Sequence, residues 1–433
     1  MTDRSGGFDL VLLGATGYVG RLTAQQLAEH APAGLRVALA ARSAERLDQL
    51  GRELGPVAQE WPRLTVDATD AASVGRLARS ARVVASTVGP YLRYGLPLVQ
   101  ACAEAGTDYL DLTGETLFVR RSIDTCHVIA VASGARIVHS CGFDSVPSDL
   151  GVGLCAEQAA AEGRGRLTEA TLHVRSMRGG VSGGTVDSFR QQVIETSADR
   201  GLRALARDPR TLTGETPAPA DGQRAAPAGP AGGSTRRGAG RSMRPPVARD
   251  PWTGRWQVPF VMGGFNRQIV LRSNALSGYA YGPDFSYREV LDTGTGPLGL
   301  VAAAALAAAS TALLGGMWFA PTRRLLDRVL PDPGQGPSER TRREGRFLVE
   351  VVAETTDGSR YRTRVGADLD FGYAGTAVMF SQAALCLALD RDLPTAGGVL
   401  TPMVAMGGPL AERLRGRGFT VETERLGPGP TRG

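Results

Sequence analysis

The chain has 433 residues, enough for two or three domains with cores of their own, and its 42% hydrophobic and 21% charged residues are typical of globular proteins. A net charge of +6 is small for this length, and the arginines are spread out rather than clustered among aromatic residues, so nucleic acid is excluded as the expected partner. The cysteines are odd in number and lack a close-set pair, which argues against a disulfide framework and a metal site and favours buried thiols in the cytoplasm: Cys102, Cys126, Cys141, Cys155 and Cys386.

The first segment predicts a strand, a glycine-rich turn and a helix. An apolar run from Leu10 leads into the turn, and a helix-forming stretch follows at Arg21. The turn consists of Gly14, Ala15, Thr16, Gly17, Tyr18, Val19 and Gly20. In dinucleotide-binding folds the first glycine permits the tight turn, the second lets the backbone approach the pyrophosphate, and the third lets the helix pack on the sheet. Because the helix N-terminus attracts phosphate, we expect these residues to bind a dinucleotide.

The end of the second predicted strand indicates which dinucleotide binds. NAD-binding folds place an acidic residue here, which hydrogen-bonds the ribose 2′-hydroxyl. This strand ends instead at Ala41, Arg42 and Ser43, without Asp or Glu. A carboxylate would repel a 2′-phosphate, whereas arginine binds it bidentately, and Arg46 lies one helical turn further on. The pattern favours NADP, and the alternative is that both arginines are merely solvated.

Strand-like and helix-like segments alternate through residues 1–150, which predicts a Rossmann-type, doubly wound parallel sheet. The later strands are expected at Arg63–Val66, Arg82–Thr87, Tyr109–Leu112 and Arg136–His139, with a helix at Leu96–Ala105. Such a sheet places the loop after the fourth strand beside the nicotinamide. That loop contains Thr87, Gly89, Pro90 and Tyr91.

Residues 151–372 have a different pattern and predict an α+β domain for substrate binding and dimerisation. Polarity alternates with period two at Leu167–Arg175, Phe347–Ala353 and Arg360–Val365, and Asp357-Gly358 lies between the last two segments. Alternation interrupted by Asp-Gly is typical of antiparallel hairpins, so an antiparallel sheet is expected. Residues 373–426 then predict a helical segment that returns to the first domain, and residues 427–433 predict a disordered tail.

Two segments of the second domain have unusual composition. Residues 208–250 are rich in Pro, Ala, Gly and Arg, and a segment with so little apolar surface predicts a disordered insertion. Leu298–Ala320 contains 23 residues without a charge. This length suits a membrane span, but the segment is dominated by alanine, so we prefer a buried or interfacial helix with peripheral membrane contact to a true span.

Several motifs, read together, resemble the saccharopine-dehydrogenase-like oxidoreductases, and most closely the branch of trans-acting enoyl reductases. The motifs are Thr87–Tyr91, Tyr94–Val99, Ala103–Gly106, Thr107–Glu115, His139–Gly151, Gly183–Thr185, Gly282–Tyr287 and Gly397–Pro402. The resemblance implies an NADPH enzyme that reduces an enoyl thioester carried by a separate polyketide synthase in lipid or glycolipid assembly. It also implies an acyl or lipid-like substrate and a location at the inner face of the plasma membrane. The cofactor contacts that it implies are Gly14, Thr16, Gly17, Val19, Arg42, Thr87, Gly89 and Pro90.

The catalytic residues are less clear from the sequence. Tyr91 is the best candidate to donate a proton or to hydrogen-bond the thioester carbonyl, and Asp144, after the sixth strand, is expected at the edge of the sheet where substrate lies. The alternative for Asp144 and Ser145 is helix capping, since Pro147 begins an apparent helix. His139 is expected to be a core histidine.

Two rival functions remain open at this point. One is a saccharopine-type amino-acid dehydrogenase, which would need a cluster of basic side chains for its substrate. The other is a non-catalytic NADP-binding protein at the membrane surface. A homodimer is a further expectation.

Overall fold

The computed structural model describes residues 7–179, 190, 192–197, 199–214, 245–318, 340 and 344–427. Several sequence predictions concern other residues. The motif Gly183–Thr185, the centre of the insertion (215–244), the last two residues of the apolar segment and most of the C-terminal tail lie outside the described residues. The two ends of the insertion are described, and there Leu212 and Asp250 are buried.

The first sheet has seven parallel strands in the order β13-β6-β5-β4-β1-β2-β3. These strands, numbered in chain order, are β1 (Phe8–Leu13), β2 (Val37–Ala41), β3 (Arg63–Thr65), β4 (Ala81–Ser86), β5 (Asp108–Asp111), β6 (Arg136–Val138) and β13 (Gly398–Leu400). The predicted Rossmann-type, doubly wound sheet is therefore confirmed. The strand order reverses between β1 and β4, and in open α/β sheets ligands bind at this reversal, beyond the carboxyl ends of the strands.

Helices cover both faces of the first sheet. They are α1 (Tyr18–His30), α2 (Ala44–Glu53), α3 (Pro56–Gln59), α4 (Ala71–Ser80), α5 (Tyr91–Tyr94), α6 (Leu96–Ala105) and α7 (Thr116–Ser133). Because the strands are covered on both sides, their apolar residues form continuous runs, and all five residues of β2 are buried. Gly106 ends α6 with a φ of 66°, the left-handed conformation that glycine adopts most readily.

The second sheet has the order β14-β12-β11-β7-β10-β9-β8. Its strands are β7 (Leu167–Arg178), β8 (Ala248–Arg249), β9 (Trp256–Pro259), β10 (Ser286–Gly294), β11 (Arg346–Thr355), β12 (Arg360–Ala367) and β14 (Thr420–Leu426). The α+β class is confirmed, and β11 and β12 form the predicted hairpin. The sheet is mixed rather than purely antiparallel, because β7 and β10 run parallel. More than a hundred residues, helices included, join these two strands, and a parallel pair requires such a crossover.

Helices of the second half surround and connect the two sheets. They are α8 (Val146–Ala161), α9 (Arg200–Arg207), α10 (Gly263–Leu276), α11 (Gly296–Trp318), a π-helical turn (Phe371–Gly375), α12 (Thr376–Leu389) and α13 (Pro402–Arg415). The stretch Phe371–Leu389 is the one helix of the described chain that is long and apolar enough to cross a membrane, but 83% of it is buried, as in a core helix.

The C-terminal segment returns to the first domain, and it also completes both sheets. Helix α12 packs against α1, β1 and β4, while β13 pairs with β6 and β14 pairs with β12. Asp149 of α8 holds this segment in place, since its buried carboxylate accepts hydrogen bonds from the Ser273 hydroxyl and the Met403 backbone N–H. Burial raises the pKa of Asp149 to about 6.

Two hydrogen bonds anchor the start of helix α11. The indole of Trp256 donates to the carbonyl of Gly296 (3.0 Å), and the hydroxyl of Thr293 donates to that of Gly299 (2.9 Å). Leu298 is 85% exposed and Val301 is 65% exposed. The predicted apolar helix is therefore present in the structure, and it carries exposed apolar side chains such as Leu298 and Val301, while Ala303 is buried.

Candidate active site

The glycine-rich turn lies between β1 and α1. Gly14 has a φ of 84°, which suits glycine, and a Cβ atom on Gly20 would lie 2.1 Å from the Gly14 carbonyl oxygen. Helix α1 therefore approaches the turn more closely than any other residue type at position 20 would allow. Gly17 is the N-cap and has no side chain to accept from the first-turn amides, so these N–H groups stay available for a phosphate.

Neighbouring residues hold this turn in place. Thr87 follows β4, and its hydroxyl donates to the carbonyl oxygen of Gly14 (3.1 Å). The ring of Tyr18 packs edge-on against Tyr373 of the π-helical turn, with ring centroids 4.8 Å apart. Ala15 is fully buried beneath the turn. Thr87 thus braces the cofactor loop through its side chain, a role that the sequence pattern did not indicate.

Arg42 lies where the 2′-phosphate of NADP is expected. It is exposed at the carboxyl end of β2 and makes no hydrogen bond or ion pair with any residue that the structure describes. Asp67 lies nearby, and its pKa is lowered first by hydrogen bonds from Thr69 and also by the charge of Arg42. Ser43 is the N-cap of α2 and accepts a hydrogen bond from the backbone N–H of Arg46 (3.2 Å). The guanidinium of Arg42 is therefore free to bind a phosphate at this edge.

The loop after β4 is held by a buried carboxylate. Glu115 accepts hydrogen bonds from the backbone N–H groups of Tyr91 (2.9 Å) and Leu92 (2.6 Å). These bonds cap α5 and fix Gly89 and Pro90 at the carboxyl edge of the sheet. The loop is therefore rigid where the nicotinamide half of a dinucleotide is expected.

The Tyr91 hydroxyl lies at the carboxyl ends of β4 and β5, where it is bonded to backbone groups. It is 5% exposed, its hydroxyl donates to the Ser86 carbonyl (3.2 Å), and the backbone N–H of Leu112 donates to it (3.3 Å). Burial raises its pKa well above the usual value of 10. The hydroxyl is thus bonded to two backbone groups, and the role of Tyr91 as a proton donor stays a prediction.

His139 is a core histidine, as the sequence analysis expected. One ring nitrogen lies 2.8 Å from a carboxylate oxygen of Asp111, and the other lies 2.8 Å from the hydroxyl of Ser122. All three residues are buried, and Tyr109 also donates to Asp111 (3.0 Å). This network fixes the loops after β5 and β6.

Asp144 and Ser145 lie in the turn between β6 and α8. Ser145 is the N-cap of α8, yet its side chain makes no capping hydrogen bond. Its hydroxyl donates instead to the side-chain oxygen of Asn266 in α10 (2.8 Å). The capping alternative is therefore wrong for the Ser145 side chain, while Asp144 is half-buried at the same turn.

Asn266, the partner of Ser145, also donates a hydrogen bond to a buried carboxyl group that was not predicted from the sequence. Glu289 of β10 is 4% exposed and accepts three hydrogen bonds. The donors are the hydroxyls of Ser148 (2.6 Å) and Tyr287 (2.8 Å) and the amide of Asn266 (3.1 Å). Burial raises the pKa of Glu289 to about 7, the three donors lower it, and Asp144 raises it further. The residues around position 289 form no motif in the sequence that marks a buried carboxyl.

Helix α10 places this network at the carboxyl edge of the first sheet. A Cβ atom on Gly114, after β5, would lie 3.4 Å from Met262 at the N-terminus of α10. Thr116 donates to Gln268 of the same helix (2.7 Å). Four features thus lie at the carboxyl edge. They are the glycine-rich turn, the exposed Arg42, the loop with Gly89 and Pro90, and the carboxyls of Asp144 and Glu289. Among the described residues no group of His, Cys, Asp or Glu is arranged to hold a metal ion.

A dinucleotide fits the residues at this edge, because the turn offers free N–H groups and Arg42 offers an exposed guanidinium. Residues 10–138 match a family model described as the saccharopine dehydrogenase NADP binding domain. The fold and this site together define an NADP-dependent oxidoreductase.

Relatives identify the family more closely. The chain is 44% identical to a trans-acting enoyl reductase of Mycobacterium bovis over 424 residues, which cover 97% of this chain and 98% of that protein. It is also 44% identical to a trans-acting enoyl reductase of Mycobacterium ulcerans, again over 97% of this chain and 98% of that protein. The chain therefore belongs to the trans-acting enoyl reductase family, and the resemblance drawn from the motifs is confirmed.

Solved structures support the fold over nearly the whole chain. Apo saccharopine dehydrogenase (L-Glu forming) of Saccharomyces cerevisiae superposes with a TM-score of 0.52 at 12% identity, covering 96% of this chain and 99% of that one. The homospermidine synthase of Legionella pneumophila in complex with NAD superposes with a TM-score of 0.51 at 10% identity, covering 97% and 92%. Because these sequence identities are so low, the two structures support the fold of this chain and not its function.

Proposed function

We propose that the protein reduces the carbon–carbon double bond of an enoyl thioester, carried by a polyketide synthase, in the assembly of a lipid or glycolipid. The observation that carries this proposal is the chemistry of the buried network at the carboxyl edge. Asn266 bonds both Ser145 and Glu289 there. Within the described chain, no arginine is among the hydrogen-bond partners of Glu289. A dicarboxylic amino acid would require cations at this position, whereas an uncharged enoyl group requires a proton donor.

The relatives support the same reaction. Both Mycobacterium proteins are named trans-acting enoyl reductases, and the name describes a separate protein that acts on a substrate held elsewhere. Bound NADPH supplies the hydride. The protein has to orient the double bond over the cofactor, stabilise the charge that develops on the thioester oxygen, and deliver a proton to the α-carbon.

The test is NADPH consumption by the purified chain with an enoyl thioester, compared with a saturated thioester and with pairs of an amino acid and an oxo acid. We expect consumption only with the enoyl thioester, and a saturated acyl chain as product. NADPH consumption with the oxo acid and amino acid alone would instead support the saccharopine-type dehydrogenase. NADPH binding without turnover of any substrate would support the non-catalytic alternative.

We also propose that α11 holds the protein against the inner face of the plasma membrane. The helix carries 23 residues without a charge, and Leu298 and Val301 are exposed to solvent in the monomer. An exposed apolar helix of this kind gains free energy by lying at the lipid interface. A homodimer stays a prediction.

The membrane proposal predicts that part of the protein sediments with membranes and is released by alkaline carbonate. Because each exposed side chain buried in lipid contributes about 1–2 kcal/mol, Val301→Glu should lower the membrane-bound fraction several-fold. The matched control is Val128→Glu, which changes a valine that is 78% exposed on α7. Resistance to carbonate would indicate a transmembrane anchor, and equal sedimentation of both variants would contradict a role for α11.

A further inference from the structure

Glu289 is buried, and burial of an ionised carboxyl group costs free energy unless the group is paired and hydrogen-bonded. It lies on β10 in the second sheet, as does its partner Tyr287, but its other two hydrogen-bond partners belong to α8 and α10, at the carboxyl edge of the first sheet. No ion pair to Glu289 is formed within the described part of the chain. The carboxyl therefore joins the two halves of the protein at the site where substrate is expected, without a cation to hold it ionised.

We propose that Glu289 stores the proton required for the reduction, and that Asp144 passes this proton to the substrate. The inference rests on the proposed function, since it names the proton source for that reaction. Asp144 suits the second role because it is half-buried in the turn before α8, whereas Glu289 is enclosed. Asp144 directly precedes Ser145, whose hydroxyl bonds Asn266, and Asn266 in turn donates to Glu289, so the two carboxyls belong to one network. The charge of Asp144 also raises the pKa of Glu289.

With substrate bound, the proton of Glu289 moves to the Asp144 carboxylate, so that the Glu289 O–H bond breaks and an Asp144 O–H bond forms. Hydride addition at the β-carbon leaves an electron pair on the enolate, and the α-carbon takes this proton as the Asp144 O–H bond breaks and a C–H bond forms. Asp144 is then a carboxylate again. Glu289 becomes a carboxylate that already receives hydrogen bonds from Ser148, Tyr287 and Asn266, and solvent restores its proton after product leaves.

The surroundings of Glu289 suit both of its protonation states. Burial and the negative charge of Asp144 favour the protonated acid, while the three donors favour the carboxylate, so the pKa lies at about 7. A proton donor works best with a pKa near the working pH. The groups that face Glu289 are Asp144 from the turn before α8, Ser148 from α8, Asn266 from α10 and Tyr287 from its own strand.

The first test follows the proton in the cofactor-free, full-length protein by infrared titration. We expect a protonated-carboxyl band that is lost near pH 7 and is absent from Glu289→Gln. Ser148→Ala removes a donor to the carboxylate and should move the midpoint to higher pH, whereas Asp144→Asn removes a negative neighbour and should move it lower. The matched control is Ser273→Ala, which removes a hydrogen bond from a different buried carboxyl, Asp149, and should leave this midpoint unchanged.

The second test measures turnover of an enoyl thioester, with NADPH affinity as the check that each variant is folded. Glu289→Gln should lower turnover about 100-fold at pH 7, because general acid catalysis contributes on the order of 10² or more. In the wild type, turnover should fall as pH rises through about 7, since the donor must be protonated, and Ser148→Ala should move this fall to higher pH.

Wild-type turnover in Glu289→Gln would overturn this inference while leaving the proposed function intact. A pH profile that Ser148→Ala leaves unshifted would also overturn it, since a purely structural Glu289 predicts that result. If the wild type turns over no enoyl thioester, the proposed function fails and the inference falls with it.

Discussion

Replacing Arg42 by Asp is expected to reverse the cofactor preference. The guanidinium is exposed at the end of β2 and makes no hydrogen bond or ion pair with the described residues, so a 2′-phosphate can bind it bidentately. A bidentate pair of charge-assisted hydrogen bonds between the guanidinium and the 2′-phosphate contributes about 2 kcal/mol, which corresponds to a roughly 30-fold preference for NADPH over NADH. The carboxylate introduced by Arg42→Asp would repel the phosphate and accept a hydrogen bond from the ribose hydroxyl, so the ratio of the two Kd values should change by about 10³-fold.

Fluorescence titration with each cofactor measures this change. Arg52→Asp is the matched control, because it makes the same change of charge at the far end of α2, where Arg52 is exposed. We expect the control to keep the wild-type preference. Equal affinity of the wild type for NADPH and NADH would contradict the role assigned to Arg42.

Replacing Gly20 by Ala is expected to abolish cofactor binding and to lower the free energy of unfolding by about 3 kcal/mol or more. The added Cβ atom would lie 2.1 Å from the backbone carbonyl oxygen of Gly14, and backbone cannot move aside as a flexible side chain can. Relief of the clash requires α1 to move away from the turn. That movement would displace the amides that bind the pyrophosphate.

Gly75→Ala provides the control for Gly20→Ala. Gly75 also lies in a helix of the first domain, but its added Cβ would meet only the end of the Arg79 side chain, at 3.5 Å. Alanine in a helix is favoured over glycine by about 0.5–1 kcal/mol, so this variant should be slightly more stable than the wild type. Chemical denaturation and NADPH titration measure both variants, and normal NADPH affinity in Gly20→Ala would refute the packing argument.

The parts of the fold that were predictable are those with a local signal. Apolar runs marked β1, β2 and β4 to within two residues, Gly106 marked the end of α6, and Asp357-Gly358 marked the hairpin of β11 and β12. Strand β13 was missed because three residues are too short to show periodicity, and β14 was missed because only Val421 of its residues is buried. These two strands are held by their neighbours rather than by their own composition.

The residues of the candidate site were predictable only where they lie close together in the sequence. Gly14 and Arg42 belong to one strand–turn–helix unit, whose spacing has physical meaning. Glu289 follows Asp144 by 145 residues, and only the packing of α10 over the sheet edge brings the two together. The direction of the Tyr91 hydroxyl was not predictable for a related reason, since it is set by hydrogen bonds to the backbone of Ser86 and Leu112.

The order of strands also constrains how this protein is made. The first sheet is completed by β13 and covered by α12, so residues 376–400 must leave the ribosome before the N-terminal domain can close. At about 5–20 residues per second, the first 150 residues wait roughly 10–50 s for that segment. During this time the edge of β6 and the apolar side of α1 are open. The nascent chain therefore needs protection by chaperones for longer than an independent dinucleotide-binding domain would, and the first 150 residues expressed alone are expected to aggregate.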